Sequence, residues 1–159
     1  MGAINYGRSK YITLGLNTDT LYEEKEELED NDIYYDVDDT ICSQFEELEY
    51  IVGKYNFNYF DVKLKPGYYD GFYLEIKDSE YVYFDNMQER EDVLKEVSAL
   101  KKLLLELIDN GLLVCYPWWA TKWLNYVESI KEVNNAIATI RKDIREIPTY
   151  RTYKRMKGA

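Results

Sequence analysis

No histidine occurs among the 159 residues, which removes the usual general base at neutral pH and the commonest zinc ligand. Catalysis would have to rest on carboxylates, lysine, tyrosine or cysteine. The two cysteines, Cys42 and Cys115, lack CxxC spacing and cannot form a disulfide framework. Both read as reduced, buried thiols, and Cys115 has no histidine to activate it as a nucleophile. Long apolar runs are also missing: none approaches the ~20 residues of a membrane span, and nothing resembles a signal peptide. A cytoplasmic protein without membrane contact is expected.

Tyrosine and acid are abundant instead. The chain holds 17 tyrosines and carries a net charge of −10, with 46% hydrophobic and 31% charged residues. That balance suits one globular domain over residues 1–159. The charge is unevenly placed. Residues 19–50 hold 14 Asp or Glu and one Lys, while residues 141–157 hold seven Lys or Arg and two acids. Such a split points to partners chosen by electrostatics; the plainer alternative is an acidic face that confers solubility.

Ile12, Leu14 and Leu16 alternate with Tyr11 and Thr13, the period of a half-buried strand. The acidic segment 19–39 has no clear period and is expected as a loop or a short edge strand at 32–37. A helix is predicted over 40–54 from Ile41, Phe45, Leu48 and Val52, with Ser43 to Glu46 as a capping box and Asp38 and Asp39 at its N-terminus. Residues 57–84 read as a three-stranded antiparallel meander. Phe60, Val62 and Leu64, then Phe72, Leu74 and Ile76, lie on an apolar face, and Tyr81–Phe84 forms the third strand. The opposite face is expected to be polar and rich in tyrosine.

Two helices are predicted to form a hairpin over 86–147. The first begins at Asn86, ends at Asn110-Gly111, and has the seam Val93, Val97, Leu100, Leu104 and Leu107. The second spans 121–147 with a heptad seam of Trp123, Tyr126, Ile130, Val133, Ile137, Ile140, Ile144 and Ile147. The seam could close inside the chain, with residues 110–120 as a short connection, or between chains as a homodimer. Pro148 ends the helix and a basic tail, 148–159, follows.

Asp36-Val37-Asp38-Asp39-Thr40 resembles the nucleophile loop of haloacid-dehalogenase phosphatases. That family needs parallel strands alternating with helices and a later acidic pair for magnesium; neither follows here. An EF-hand would need a central glycine that is also missing. The aspartates therefore read as acidic surface and helix cap, with no catalytic residue, metal or cofactor expected. Trp118, Trp119 and Trp123 read as a corner of the core or as an aromatic anchor for a partner. The stretch 141–157 interleaves cations with Tyr150 and Tyr153, a composition that suits contact with RNA or DNA as well as a solvated helix end.

Tyr6-Gly7-Arg8-Ser9-Lys10-Tyr11 resembles the opening of a small phage-encoded anti-CRISPR family that inhibits type II Cas9. The Tyr-, Glu- and Lys-rich texture is similar to accessory proteins of phages and mobile elements. The resemblance implies a host bacterial cytoplasm and a Cas nuclease, or another nucleic-acid enzyme, as protein target. The fold expected from the residues is α+β: an antiparallel sheet of about four strands packed by two or three helices, with a long C-terminal helical hairpin. The expected function is a non-enzymatic inhibitor acting as a DNA mimic. Its partner-binding residues are Glu23, Glu24, Glu26, Glu27, Glu29, Asp30, Asp32, Asp36, Asp38 and Asp39. The alternative is a structural or regulatory dimerising protein that uses the heptad seam.

Overall fold

A computed structural model describes residues 12–66, 72–78, 80–111, 113–116 and 122–158. The elements in chain order are β1 (Leu14–Gly15), α1 (Thr18–Asp30), α2 (Val37–Gly53), β2 (Phe60–Pro66) and β3 (Phe72–Asp78). Then come α3 (Met87–Asp109), β4 (Val114–Cys115), α4 (Tyr126–Glu146) and α5 (Tyr150–Gly158). The described strands form one antiparallel sheet in the order β2-β3-β1-β4, and with the helices make an α+β fold.

The β2–β3 hairpin follows the alternation in the sequence, although its turn lies outside the described residues. Leu64 sits opposite Leu74 and Val62 opposite Ile76 on the core face. Asp61 faces Lys77 and Lys63 faces Glu75 on the other. Ion pairs along each strand, Lys63 to Asp61 at 3.4 Å and Lys77 to Glu75 at 3.5 Å, complete a ladder of mixed sign. The outer face expected to be rich in tyrosine is thus mainly charged, with Tyr73 opposite Lys65.

The third strand of the expected meander does not form. The place beside β3 belongs to β1, with Leu14 opposite Leu74, and β4 pairs the far side of β1 through Leu14 and Cys115. The connection between the two long helices therefore carries an edge strand. Leu14 and Cys115 are buried, and Tyr116 N donates to Thr13 O at 3.0 Å. Ser129 fastens this strand to α4: its hydroxyl accepts from Cys115 N at 3.1 Å, and the Cys115 thiol lies 3.6 Å from Ser129 O. Burial pushes that thiol up to about 12, while Cys42, expected inside, is exposed.

Phe84 is fully buried and forms one parallel bridge to Thr149 instead of joining the sheet. Its N–H donates to Pro148 O at 2.9 Å, and its carbonyl accepts from Tyr150 N at 2.6 Å.

The helical hairpin is held by its predicted seam. Leu100, Leu104 and Leu107 of α3, and Val133, Ile137 and Ile140 of α4, are buried where the two helices pack. Burying each such side chain contributes roughly 1.5–3 kcal/mol relative to leaving it exposed. The seam closes inside the chain. Asn86 caps α3 by accepting from Glu89 N at 2.9 Å, and Asn125 forms a capping box with Glu128 at the start of α4. That box shortens the predicted helix: Trp123 precedes it, and Tyr126 is exposed with its hydroxyl 2.5 Å from Asp109.

Glu96 is the buried acid of α3, at 9% exposure. One oxygen accepts from Tyr59 N at 2.7 Å and Phe60 N at 3.0 Å, so the carboxylate pins the start of β2. Among the described residues, no helix is long and apolar enough to cross a membrane.

Candidate functional site

The acidic segment, expected as a loop or edge strand, folds as α1. Leucine, glutamate and lysine are strong helix formers, and the apolar stripe is only Leu21, buried, and Leu28, half-buried. They lie seven positions apart, too few apolar positions to display a period. Glu23, Glu24, Glu26, Glu27, Glu29 and Asp30 are all exposed.

Helix formation brings these carboxylates together rather than apart. Glu23–Glu27 and Glu26–Asp30 are neighbours at i,i+4; Glu23–Glu26, Glu24–Glu27, Glu26–Glu29 and Glu27–Asp30 are neighbours at i,i+3. Each like pair costs some 0.2–0.5 kcal/mol, so the set opposes the helix by about 1–3 kcal/mol at low salt. Among the described residues one cation answers them: Lys25 lies 3.9 Å from Glu29. No basic residue stands in the last turn, where the helix dipole disfavours Glu29 and Asp30, and Asn17 makes no side-chain cap at the other end.

The chain leaves α1 through a tight C-terminal motif. Asp32 N donates to Glu29 O at 3.0 Å and Ile33 N to Leu28 O at 2.8 Å, with Asp32 at φ 61. Glycine normally occupies that left-handed position. The turn throws Ile33 and Tyr34 outward, 53% and 82% exposed, while the next residues, Tyr35 and Val37, pack into the core. An aliphatic and an aromatic side chain thus stand between two acidic helices on a loop pinned at both ends. The sequence reading missed this pair. The signal was present as Asn31-Asp32, a turn pair, followed by three large apolar or aromatic residues.

The cap of α2 is Asp36 rather than Ser43, so the helix starts earlier than expected. Its side chain accepts from Asp38 N at 3.0 Å and Asp39 N at 3.3 Å. Asp36 therefore has a structural job, as the cap reading anticipated. Asp38 and Asp39 occupy the first turn, where the dipole favours them, and both are exposed. The ten predicted residues fall on α1, its exit turn and the first turn of α2; Asp36 is the one committed to a hydrogen-bonded cap. Among the described residues, no group of three or more acids or cysteines is arranged to hold a metal.

Of the tryptophans, Trp118 and Trp119 lie outside the described residues, as do Tyr6–Tyr11. Trp123 is half-buried, its ring 4.7 Å from that of Tyr116 in an edge-on contact. It belongs to the corner where β4 turns into α4.

The basic tail, past Pro148, is helical. α5 has no buried residue and rests on Tyr83, whose ring lies 4.9 Å from Tyr150 and 5.0 Å from Tyr153. The guanidinium of Arg90 reaches Ile147 O at 2.6 Å just before it. No family model matches the sequence, and neither the curated proteins nor the solved structures include a match.

Proposed function

We propose that the protein is a non-enzymatic inhibitor of a nucleic-acid-processing enzyme. The acidic surface of α1 and the first turn of α2 would enter a groove that normally holds phosphate. The observation that carries this reading is α1 itself: an exposed row of carboxylates, at one-turn spacing, that works against the helix bearing it and has, among the described residues, a single lysine in answer. A Lys/Arg groove relieves that repulsion, and long-range attraction speeds the encounter. Ile33 and Tyr34 add what charge alone lacks, an apolar anchor that fills a pocket and fixes register. The Tyr6–Tyr11 resemblance contributes the choice of target, a Cas9 nuclease in a bacterial host.

The test is a titration of candidate nucleases with the parent chain and with a variant carrying Glu23, Glu26, Glu27 and Asp30 all changed to lysine. Close pairs across such an interface are worth roughly 1.5 kcal/mol or more each. The reversal should abolish inhibition, mainly by slowing association, without lowering the melting temperature. The parent's affinity should fall with added salt. A reversed variant that inhibits as well as the parent would reduce α1 to a solubility device.

A further inference from the structure

We propose that α5, with Tyr83, is a second binding surface that takes the sugar-phosphate backbone of single-stranded nucleic acid. The helix contributes nothing to the core and is held at its edge, through the Phe84–Thr149 bridge and the Tyr83 contacts. Tyr150, Tyr153 and Lys157 recur at i, i+3 and i+7, which puts them on the side that meets Tyr83. Arg151, Lys154 and Arg155, at i, i+3 and i+4, form a separate exposed stripe. Elsewhere Lys25, Lys54, Lys63, Lys77 and Lys122 each find a carboxylate within ion-pair distance, while Lys65, Lys95, Lys101, Lys102, Lys131, Lys142 and Arg145 make no such pair among the described residues; α5 differs in gathering its unpaired cations on one short helix. The cations of α5 find none among the described residues, in a chain with 30 acids against 20 bases.

Aromatic faces lie beside the charges. Lys154 sits 5.5 Å from the centre of the Tyr150 ring, and Lys157 5.8 Å from that of Tyr153. A cation next to a partly exposed ring is the pairing that binds a phosphate and stacks the neighbouring base without reading sequence. The structure also divides the basic stretch: Arg141 lies on α4 and reaches Ser98 at 3.1 Å, whereas Arg151, Lys154, Arg155 and Lys157 lie on α5.

Charge complementarity selects the occupant. The acidic α1 of a second copy offers exposed ion pairs, which are individually too weak to offset the cost of association. A lipid surface calls for a deep apolar face, and α5 offers only two part-exposed tyrosines and Met156 among its cations. Phosphates add counterion release to the pairing itself, a gain that neither rival provides to the same degree.

The experiment measures fluorescence anisotropy of labelled oligothymidylate and oligouridylate with the full chain over a range of salt. Binding should weaken with salt, with a log–log slope of about −2 to −3 for three or four phosphates on a single strand. Changing Arg151, Lys154 and Arg155 together to glutamate should weaken binding at least about tenfold with the melting temperature unchanged, because all three are exposed. Tyr150→Ala should weaken binding and leave the salt slope in place, which separates stacking from charge. The reversed α1 variant should bind the oligonucleotide at least as well as the parent, so this proposal and the inhibitor reading fail independently. No binding at low salt would overturn the proposal. So would equal affinity for polyglutamate, unchanged binding by the triple variant, or preference for anionic vesicles. Sedimentation showing self-association that the triple variant loses, without oligonucleotide binding, would assign α5 to a second copy instead.

Discussion

Helices α1 and α3 end on nearly the same residues, Asp30-Asn31-Asp32 and Asp109-Asn110-Gly111. In both, the asparagine side chain donates back to the carbonyl four residues earlier: Asn31 to Glu27 at 2.9 Å, Asn110 to Glu106 at 2.7 Å. In both, the next residue turns left-handed, Asp32 at φ 61 and Gly111 at φ 70. The surroundings differ. The acids near the end of α3 are answered: Lys54 lies 2.7 Å from Glu106, Tyr55 donates to the same carboxylate at 3.0 Å, and Tyr126 donates to Asp109. Those of α1 are left against the dipole, and an aspartate stands where α3 has glycine. The hairpin is optimised for holding together. The acidic helix is not: its negative charge comes at the expense of its stability.

The comparison breaks most visibly if charge is equally tolerated in both places. Ile137→Asp buries an unpaired carboxylate in the hairpin and should cost about 3–5 kcal/mol, enough to unfold the domain in a denaturant titration. Adding or reversing charge on α1 should shift the same curve little; comparable losses would erase the distinction. Next in size is Glu96→Ala, which strands the part-buried N–H of Tyr59 and the buried N–H of Phe60 and should cost about 2–3 kcal/mol. Proteolysis near residue 59 would report the freed start of β2.

The helix ends permit a paired exchange. Asp32→Gly relieves the left-handed backbone and removes a carboxylate from the dipole's negative end, so it should stabilise by about 0.5–1 kcal/mol. Gly111→Asp should move the melting temperature the other way by a similar amount. Equal signs would show that backbone strain does not separate the two ends. The smallest effect is in pH. The hydrogen bond from Lys54, helped by Tyr55, holds Glu106 below the usual carboxylate range. Its contribution is therefore complete above that range and is lost as pH falls through the lowered value. Glu106→Gln should flatten that part of the stability–pH curve, measured by urea titration, and leave neutral and alkaline behaviour in shape.

Regular periods made part of the fold legible from sequence. Alternation located β2 and β3, and the three–four seam of Val133, Ile137, Ile140 and Ile144 located the hairpin. α1 was invisible because Leu21 and Leu28 are too few apolar positions to set a period, and propensity without a stripe leaves no pattern. β1 and β4 are two residues each, shorter than one alternation, and their pairing depends on residues far along the chain. Phe84 misled for a related reason: its apolar run matches a strand, but β1 had the better claim to the edge of β3. For the candidate site, the ten carboxylates were legible as charge. Their helical spacing, the cap made by Asp36 and the exposed Ile33–Tyr34 pair depend on a turn and on tertiary burial that composition does not encode.

The two cysteines differ as sharply as the two helix ends. Cys115 is buried and its thiol is held up at about 12, so it stays protonated and sheltered at neutral pH. Cys42 is exposed on α2, one turn beyond Asp38 and Asp39. A maleimide fluorophore on the folded native chain should therefore attach once, beside the acidic surface, with no residue replaced. Such a conjugate turns occupancy of that surface into an optical signal, and labelling of a second thiol becomes a direct measure of how often the sheet edge opens.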